Sequence, residues 1–87
     1  MSKAIYPGTF DPLTLGHLNI LEKACQIFDE VILAVADYTG KETLFTLEER
    51  YELCQKATEH IPNVVVSTFQ GLFVEYAKSQ NCRIMIR

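Results

Sequence analysis

The chain has 87 residues, an apolar content of 48% and a formal net charge of −3, which is typical of one small globular domain. The acidic balance argues against a general nucleic-acid-binding or anionic-membrane-binding protein, since both need a basic surface. No apolar run approaches the ~18 residues of a membrane span, and the three cysteines lack the paired spacing of a zinc site. We find no secretory signal, and we therefore expect a cytoplasmic protein with reduced thiols.

The hydrophobic pattern predicts four β-strands that alternate with three helices. Leu18, Leu21, Cys25 and Phe28 recur at helical spacing and predict the buried stripe of the first helix. A continuous apolar run indicates the second strand and is typical of a parallel strand covered on both faces. The second helix begins with a capping box at Thr46 and Glu49, and Pro62 stops it. Its expected buried residues are Leu47, Tyr51, Cys54 and Thr58. The predicted elements are a strand at 3–6, a helix at 15–28, a strand at 31–36, a helix at 47–60, a strand at 64–66, a helix at 72–80 and a strand at 84–86.

This order of elements predicts an α/β fold, a Rossmann-like doubly wound parallel sheet in the order βαβαβαβ. In such a sheet the first three strands are laid down in one direction, and the fourth returns to the other side of the first. Ligands bind outside the carboxyl ends of the strands at that switch point. We predict a single domain over residues 1–87, truncated after its fourth strand.

The segment between the first strand and the first helix reads YPGTFDPLTLGH, residues 6–17. In a strand–turn–helix arrangement, backbone N–H groups and the helix N-terminus converge on an anion. Gly8 allows the backbone to approach a ligand closely. Thr14 is an N-cap candidate whose hydroxyl accepts from the N–H of Gly16 or His17. The chain contains neither G-x-G-x-x-G nor G-x-x-x-x-G-K-[ST], which excludes the usual dinucleotide fingerprint and a P-loop.

The predicted topology gathers several candidate residues at one edge of the sheet. Because the carboxyl ends of parallel strands share an edge, residues that follow each strand should face one crevice. Three potentially cationic side chains and several backbone N–H groups would line that crevice. Such a lining suits the binding of phosphate groups. The candidates are Thr9, Phe10, His17, Lys41, Phe73 and Arg87.

The segment at 6–17 resembles the phosphate-binding signature of the nucleotidyltransferase superfamily, which carries a Thr/His-x-Gly-His tetrapeptide, here at residues 14–17. Because the segment begins with a Tyr-Pro pair, it is most similar to the phosphopantetheine adenylyltransferase family. The resemblance implies that the 4′-phosphate of phosphopantetheine attacks the α-phosphate of ATP, giving dephospho-coenzyme A and pyrophosphate. It also implies Mg²⁺ bound with ATP, and a homohexamer for the complete enzyme.

The resemblance assigns roles at the first turn. It implies that Thr9 binds the phosphate of phosphopantetheine and borders ATP, and that the Phe10 amide joins the ATP phosphate site. It implies that His17 stabilises the transition state at the α-phosphate. Asp11 is instead expected to accept backbone hydrogen bonds that shape the turn.

Three further candidates would contact phosphopantetheine. The resemblance implies that Lys41 and Arg87 bind its phosphate and that Phe73 lines its pantetheine arm, where the family often has Met or Leu. The resemblance covers the whole chain but only about the first half of the family's usual length. We therefore expect this fragment to show little or no adenylyl transfer alone.

Two other functions stay open. A sister nucleotidyltransferase, such as a nicotinamide mononucleotide adenylyltransferase or a cytidylyltransferase, would use the same signature with another acceptor. Thr14, where those relatives usually carry His, and Lys41 argue against it. From a different class, the chain could be a non-catalytic nucleotide-binding or assembly module. In each case the expected ligands are small molecules, with no nucleic acid and no membrane partner.

Overall fold

The computed structural model describes residues 2–37 and 42–87, which form alternating strands and helices. The order matches the predicted order as far as the third helix, and the predicted α/β class is confirmed. No helix in these two ranges is long and apolar enough to cross a membrane. The elements are β1 (Lys3–Gly8), α1 (Leu15–Ile27), β2 (Glu30–Asp37), α2 (Leu47–Ala57), β3 (Val64–Gln70) and α3 (Phe73–Ser79).

The sheet is parallel, with the strand order β1-β2-β3. The fourth predicted strand, residues 84–86, is reduced to one parallel bridge between Ile5 and Met85. The Ile5 N–H donates to the Ile84 carbonyl, and the Ile86 N–H donates to the Ile5 carbonyl, both at 2.9 Å. This bridge lies at the edge of β1 opposite to β2, where a doubly wound sheet places its fourth strand. The prediction of a full strand was too long, because among the described residues the 84–86 backbone pairs only with Ile5.

Other predicted boundaries also differ from the structure: β1 continues to Gly8, and the ends of α1, β2 and α3 move by one residue. The largest differences are in β3 and α2. β3 was predicted at 64–66 but extends to Gln70, because residues 67–70 pair with residues 34–37 of β2. α2 ends at Ala57 rather than at residue 60. The Thr58 hydroxyl donates to the Cys54 carbonyl at 2.8 Å and caps the last turn. The chain therefore leaves the helix before it reaches Pro62.

Helices cover both faces of the sheet, and β2 lies at its centre. Alternate residues of β2 enter different cores: Val31, Leu33 and Val35 on the face of α1 and α2, and Ile32, Ala34 and Ala36 on the face of α3. All six are buried. The prediction of a strand covered on both faces is confirmed, and it explains the continuous apolar run.

The helices bury narrower stripes than the pattern predicts. In α1, Leu21 and Ala24 are buried, whereas the predicted Leu18, Cys25 and Phe28 are half-buried at the margins. The small Ala24 side chain lies at the centre of the contact, and periodicity of large residues does not reveal it. In α2 the predicted capping box is confirmed: the Thr46 hydroxyl accepts from the Glu49 N–H at 3.1 Å, and the Glu49 carboxylate accepts from the Thr46 N–H at 3.0 Å. The predicted Leu47 and Tyr51 are half-buried, Cys54 and Thr58 are buried as predicted, and Arg50 is buried as well.

Candidate functional site

The turn after β1 is built around the ring of Phe10. Phe10 is only 4% exposed, and its φ of 50° lies in the left-handed region that bulky residues rarely adopt. A Cβ atom on Gly8 would lie 2.9 Å from the tip of this ring. In the structure, Gly8 therefore makes room for Phe10, which is a different use of glycine from the predicted approach to a ligand. A left-handed non-glycine residue at the end of a strand is a feature that clusters at functional sites.

His17 is the third residue of α1 and closes its first turn. The Thr14 hydroxyl accepts from the His17 N–H at 3.2 Å, so Thr14 is the N-cap, as predicted. In return, Nδ1 of His17 accepts from the Thr14 N–H at 3.0 Å. This is a capping box in which imidazole replaces the usual Glu or Gln. Because Nδ1 accepts a backbone proton, a neutral ring carries its own proton on Nε2. The cap therefore makes Nε2–H the donor that points away from the backbone.

Aromatic contacts fix the plane of the imidazole. Its centroid lies 5.1 Å from that of Phe10 and 6.2 Å from that of Tyr6, both in edge-to-face geometry. Tyr6 and Phe10 pack edge-to-face on each other at 5.4 Å. The first turn of α1 has no acidic residue, so no local carboxylate neutralises the positive end of the helix dipole. The structure thus combines an oriented imidazole with a helix terminus that attracts anions.

Asp11 joins this turn to the segment that precedes α2. Its carboxylate accepts from the Leu44 N–H at 2.6 Å and from the Phe45 N–H at 2.9 Å. Asp11 does accept backbone hydrogen bonds, as predicted, but from residues 33 and 34 positions along the chain. The carboxylate therefore holds two loops together rather than shaping only its own turn.

Arg50 makes the second connection, and sequence reasoning missed it. The residue is 3% exposed. Its Nε donates to the Phe45 carbonyl at 3.2 Å, and one terminal nitrogen donates to the carbonyls of Thr9 at 2.9 Å and Ala36 at 2.8 Å. The spacing of Leu47, Arg50 and Cys54 follows one face of a helix, and this signal could have placed the guanidinium on the buried side of α2.

Phe73 and Arg87, two of the other candidates, follow β3 and the Met85 bridge. Phe73 is the first residue of α3, on the opposite face of the sheet, and packs against Phe69 at 5.9 Å between centroids. Arg87 is exposed and follows the Met85 bridge to β1 by two residues. Lys41 lies outside the described residues. The structure therefore brings Thr9, Phe10 and His17 together, and it places Phe73 and Arg87 at the ends of other strands.

Comparison with known proteins identifies the family. Residues 5–87 match the family model described as cytidylyltransferase-like. The chain belongs to the cytidylyltransferase-like family. It is 54% identical, over 99% of its length, to the phosphopantetheine adenylyltransferase of Nautilia profundicola, of which it covers 56%. It is 53% identical, over its full length, to that of Symbiobacterium thermophilum, of which it covers 54%. The chain spans about half the length of the curated relatives it matches.

Solved structures support the family's fold. The NadR protein in complex with NAD and AMP-PNP aligns with a TM-score of 0.75 and 24% identity, over 95% of this chain and 28% of that one. The lipopolysaccharide core biosynthesis protein from Thermoplasma volcanium GSS1 aligns with a TM-score of 0.76 and 22% identity, over 98% of this chain and 72% of that one. These likenesses confirm the predicted Rossmann-like fold of the cytidylyltransferase-like chain.

The family resemblance implies Mg²⁺, and the residues around the turn do not form a site for a resident ion. Within residues 2–37 and 42–87, no group of three or more His, Cys, Asp or Glu side chains is arranged to hold a metal. The carboxylate at the turn, Asp11, is engaged by two backbone N–H groups. Magnesium that enters with ATP would belong to the substrate, with phosphate oxygens and water as its ligands.

The cysteines are not placed to act as nucleophiles. All three are free thiols. Burial raises the pKa of Cys54 to about 11, although the nearby Arg50 guanidinium acts in the opposite direction. Burial, with a smaller contribution from Glu22, also raises the pKa of Cys25. Since the thiolate is the reactive form, burial makes Cys25 and Cys54 weak nucleophiles.

Proposed function

We propose that this chain forms the phosphate-binding part of an enzyme that transfers the adenylyl group of ATP to 4′-phosphopantetheine, giving dephospho-coenzyme A and pyrophosphate. The observation that carries the proposal is the orientation of His17. Its Nδ1 is held by the Thr14 N–H, and its ring is held by Tyr6 and Phe10, at the N-terminus of α1. The names of the relatives at about 50% identity support the same reaction.

In the proposed reaction, a 4′-phosphate oxygen forms a bond to the α-phosphorus of ATP. The bond between that phosphorus and the oxygen bridging to the β-phosphate breaks, and pyrophosphate leaves. The nucleophile is already an anion near neutral pH, so the reaction needs no strong general base. Catalysis then consists of positioning and stabilisation of charge. Nε2–H of His17 donates to the α-phosphate as negative charge accumulates there.

The remaining candidates divide between the two substrates. The Phe10 amide and the N-terminus of α1 bind ATP phosphates, and Thr9 lies between ATP and the phosphate of the acceptor. Phe73 and Arg87 bind phosphopantetheine. Phe73 lines a cavity together with Met85, which lies two residues before Arg87.

Three parts of the proposal rest on the family resemblance alone. They are the contact of Lys41 with the acceptor phosphate, the homohexameric assembly of the complete enzyme and its cytoplasmic location. Mg²⁺ enters the proposal as part of the ATP substrate.

Titration of the isotope-labelled 87-residue chain with ATP, and separately with 4′-phosphopantetheine, tests the site. We expect the largest amide shifts with ATP at residues 9–10 and 16–17. In the complete enzyme, His17→Ala should lower kcat by ~10²–10³, which is the usual effect of losing one such donor. His60→Ala is the matched control, because His60 is exposed in the turn that follows α2.

Unchanged turnover in His17→Ala would refute the catalytic role. Pyrophosphate could instead be released with nicotinamide mononucleotide as the acceptor, or with CTP as the nucleotide, and not with phosphopantetheine. That result would assign the site to another nucleotidyltransferase reaction. Binding of ATP without turnover in the complete enzyme would indicate a non-catalytic module.

A further inference from the structure

Three carbonyl groups from distant parts of the chain converge on the guanidinium of Arg50. The Thr9 and Ala36 carbonyls lie at the carboxyl ends of β1 and β2, and the Phe45 carbonyl lies just before α2. A buried charge is costly unless hydrogen bonds compensate it. Among the described residues Arg50 forms no ion pair with a carboxylate, so carbonyl dipoles compensate the charge. Positive potential therefore remains close to the turn.

The hydrogen bond from Arg50 to the Thr9 carbonyl also affects the direction of the neighbouring Phe10 N–H. The Thr9 C=O and the Phe10 N–H belong to one planar trans peptide unit and point in opposite directions. A guanidinium that holds the oxygen inward therefore directs the Phe10 N–H outward. No acceptor for the Phe10 N–H occurs among the described hydrogen bonds. Phe10 itself has a left-handed φ of 50°, a conformation that bulky residues rarely adopt.

Asp11, the residue that follows Phe10 in the turn, is also held in place. Its carboxylate is held by the N–H groups of Leu44 and Phe45, and the Phe45 carbonyl accepts from Arg50. Arg50 and Asp11 thus both hydrogen-bond to Phe45. Through this shared partner they restrain the turn together. The peptide between residues 9 and 10 has little freedom to rotate.

We propose that Arg50 is a positioning residue that aims the Phe10 N–H at a phosphate through the peptide plane it shares with the Thr9 carbonyl. The phosphate rests on the proposed function, whereas the orientation of the peptide does not. Lysine cannot replace arginine here, because the three bonds come from two nitrogens of a rigid planar fork, which a single ammonium group does not reproduce.

The test compares Arg50→Lys and Arg50→Met with Lys56→Met, a control that removes a charge from an exposed position of the same helix. The first readout needs no ligand: it is the ¹³C chemical shift of the Thr9 and Ala36 carbonyls, which responds to loss of a charged hydrogen bond. The second readout is the affinity for inorganic tripolyphosphate, followed at the Phe10 amide.

We expect Arg50→Lys to fold, to shift both carbonyl resonances and to weaken tripolyphosphate binding roughly tenfold despite its retained charge. Arg50→Met should shift the same resonances and bind more weakly still, and Lys56→Met should match the wild type. If Arg50→Met does not fold, the lysine variant decides. Unmoved carbonyl resonances or wild-type affinity in Arg50→Lys would overturn the inference. If wild-type chain binds neither tripolyphosphate nor ATP, the proposed function fails, and the carbonyl shifts still report on the peptide.

Discussion

A methyl group at position 8 should destabilise the fold because the Phe10 ring occupies its place. The added Cβ would lie 2.9 Å from Cζ and 3.2 Å from both Cε atoms of that ring. The ring has little room to move, since it is buried and packs against Tyr6 and His17. Overpacking of this kind costs ~1–3 kcal/mol. Gly8 is not among the residues with positive φ, so alanine can adopt its backbone conformation. Alanine also lowers the conformational entropy of the unfolded chain, which stabilises the fold by ~0.4–1 kcal/mol. We expect a net loss of roughly 1–2 kcal/mol.

Urea denaturation of Gly8→Ala, followed by circular dichroism, measures this loss. Gly16→Ala is the matched control, because its Cβ would meet only the Thr14 hydroxyl, at an ordinary 3.6 Å. Since alanine favours helix over glycine by up to ~1 kcal/mol, Gly16→Ala should leave the free energy of unfolding unchanged or raise it. The two glycine substitutions should therefore have opposite signs.

A double-mutant cycle with Phe10→Leu identifies the cause. The smaller side chain should relieve the overlap, so that Gly8→Ala costs less in the Phe10→Leu background than in the wild type. Equal costs in both backgrounds, or a Gly8→Ala chain as stable as the wild type, would refute the steric explanation.

Two further predictions concern α2. Thr46→Ala removes one half of the capping box and should lower the free energy of unfolding by about 1 kcal/mol in urea; an unchanged midpoint would mean that the box contributes nothing. Cys54 has its pKa raised from 9.0 to about 11, so its stabilising effect is complete below about pH 9 and is lost as the pH rises through 11. In Cys54→Ala the alkaline loss of stability should be smaller by roughly 2–3 kcal/mol, and an identical loss in both chains would contradict the shift.

Local patterns predicted the fold well where the information lies within a few residues. The N-cap at Thr14 and the capping box at Thr46 mark where two helices begin, and the apolar run of β2 marks a strand buried on both faces. Boundaries that depend on pairing were predicted less well. β3 continues beyond its apolar part because residues 67–70 find partners on β2. Residues 84–86 form only a bridge because, among the described residues, their backbone–backbone hydrogen bonds are made with Ile5 alone.

The candidate site shows the same division. The segment at 6–17 predicts an anion site after a strand, and the structure places Thr9, Phe10 and His17 close together at the turn after β1. The spacing does not reveal that imidazole nitrogen Nδ1 is used in a cap, since Glu or Gln usually fills that place. Nor does it reveal that Gly8 accommodates a ring of its own chain.

Periodicity, capping residues and the signature turn act over one or two turns of chain, so the order of elements and a candidate phosphate site could be predicted from the residues. The partners of Arg50 were not. Residues 9, 36 and 45 come together only after β1 and β2 align in register and α2 folds back over them. A side chain whose bonds span 41 positions of sequence takes its role from the packed sheet, because only the packed sheet brings those carbonyls to one point.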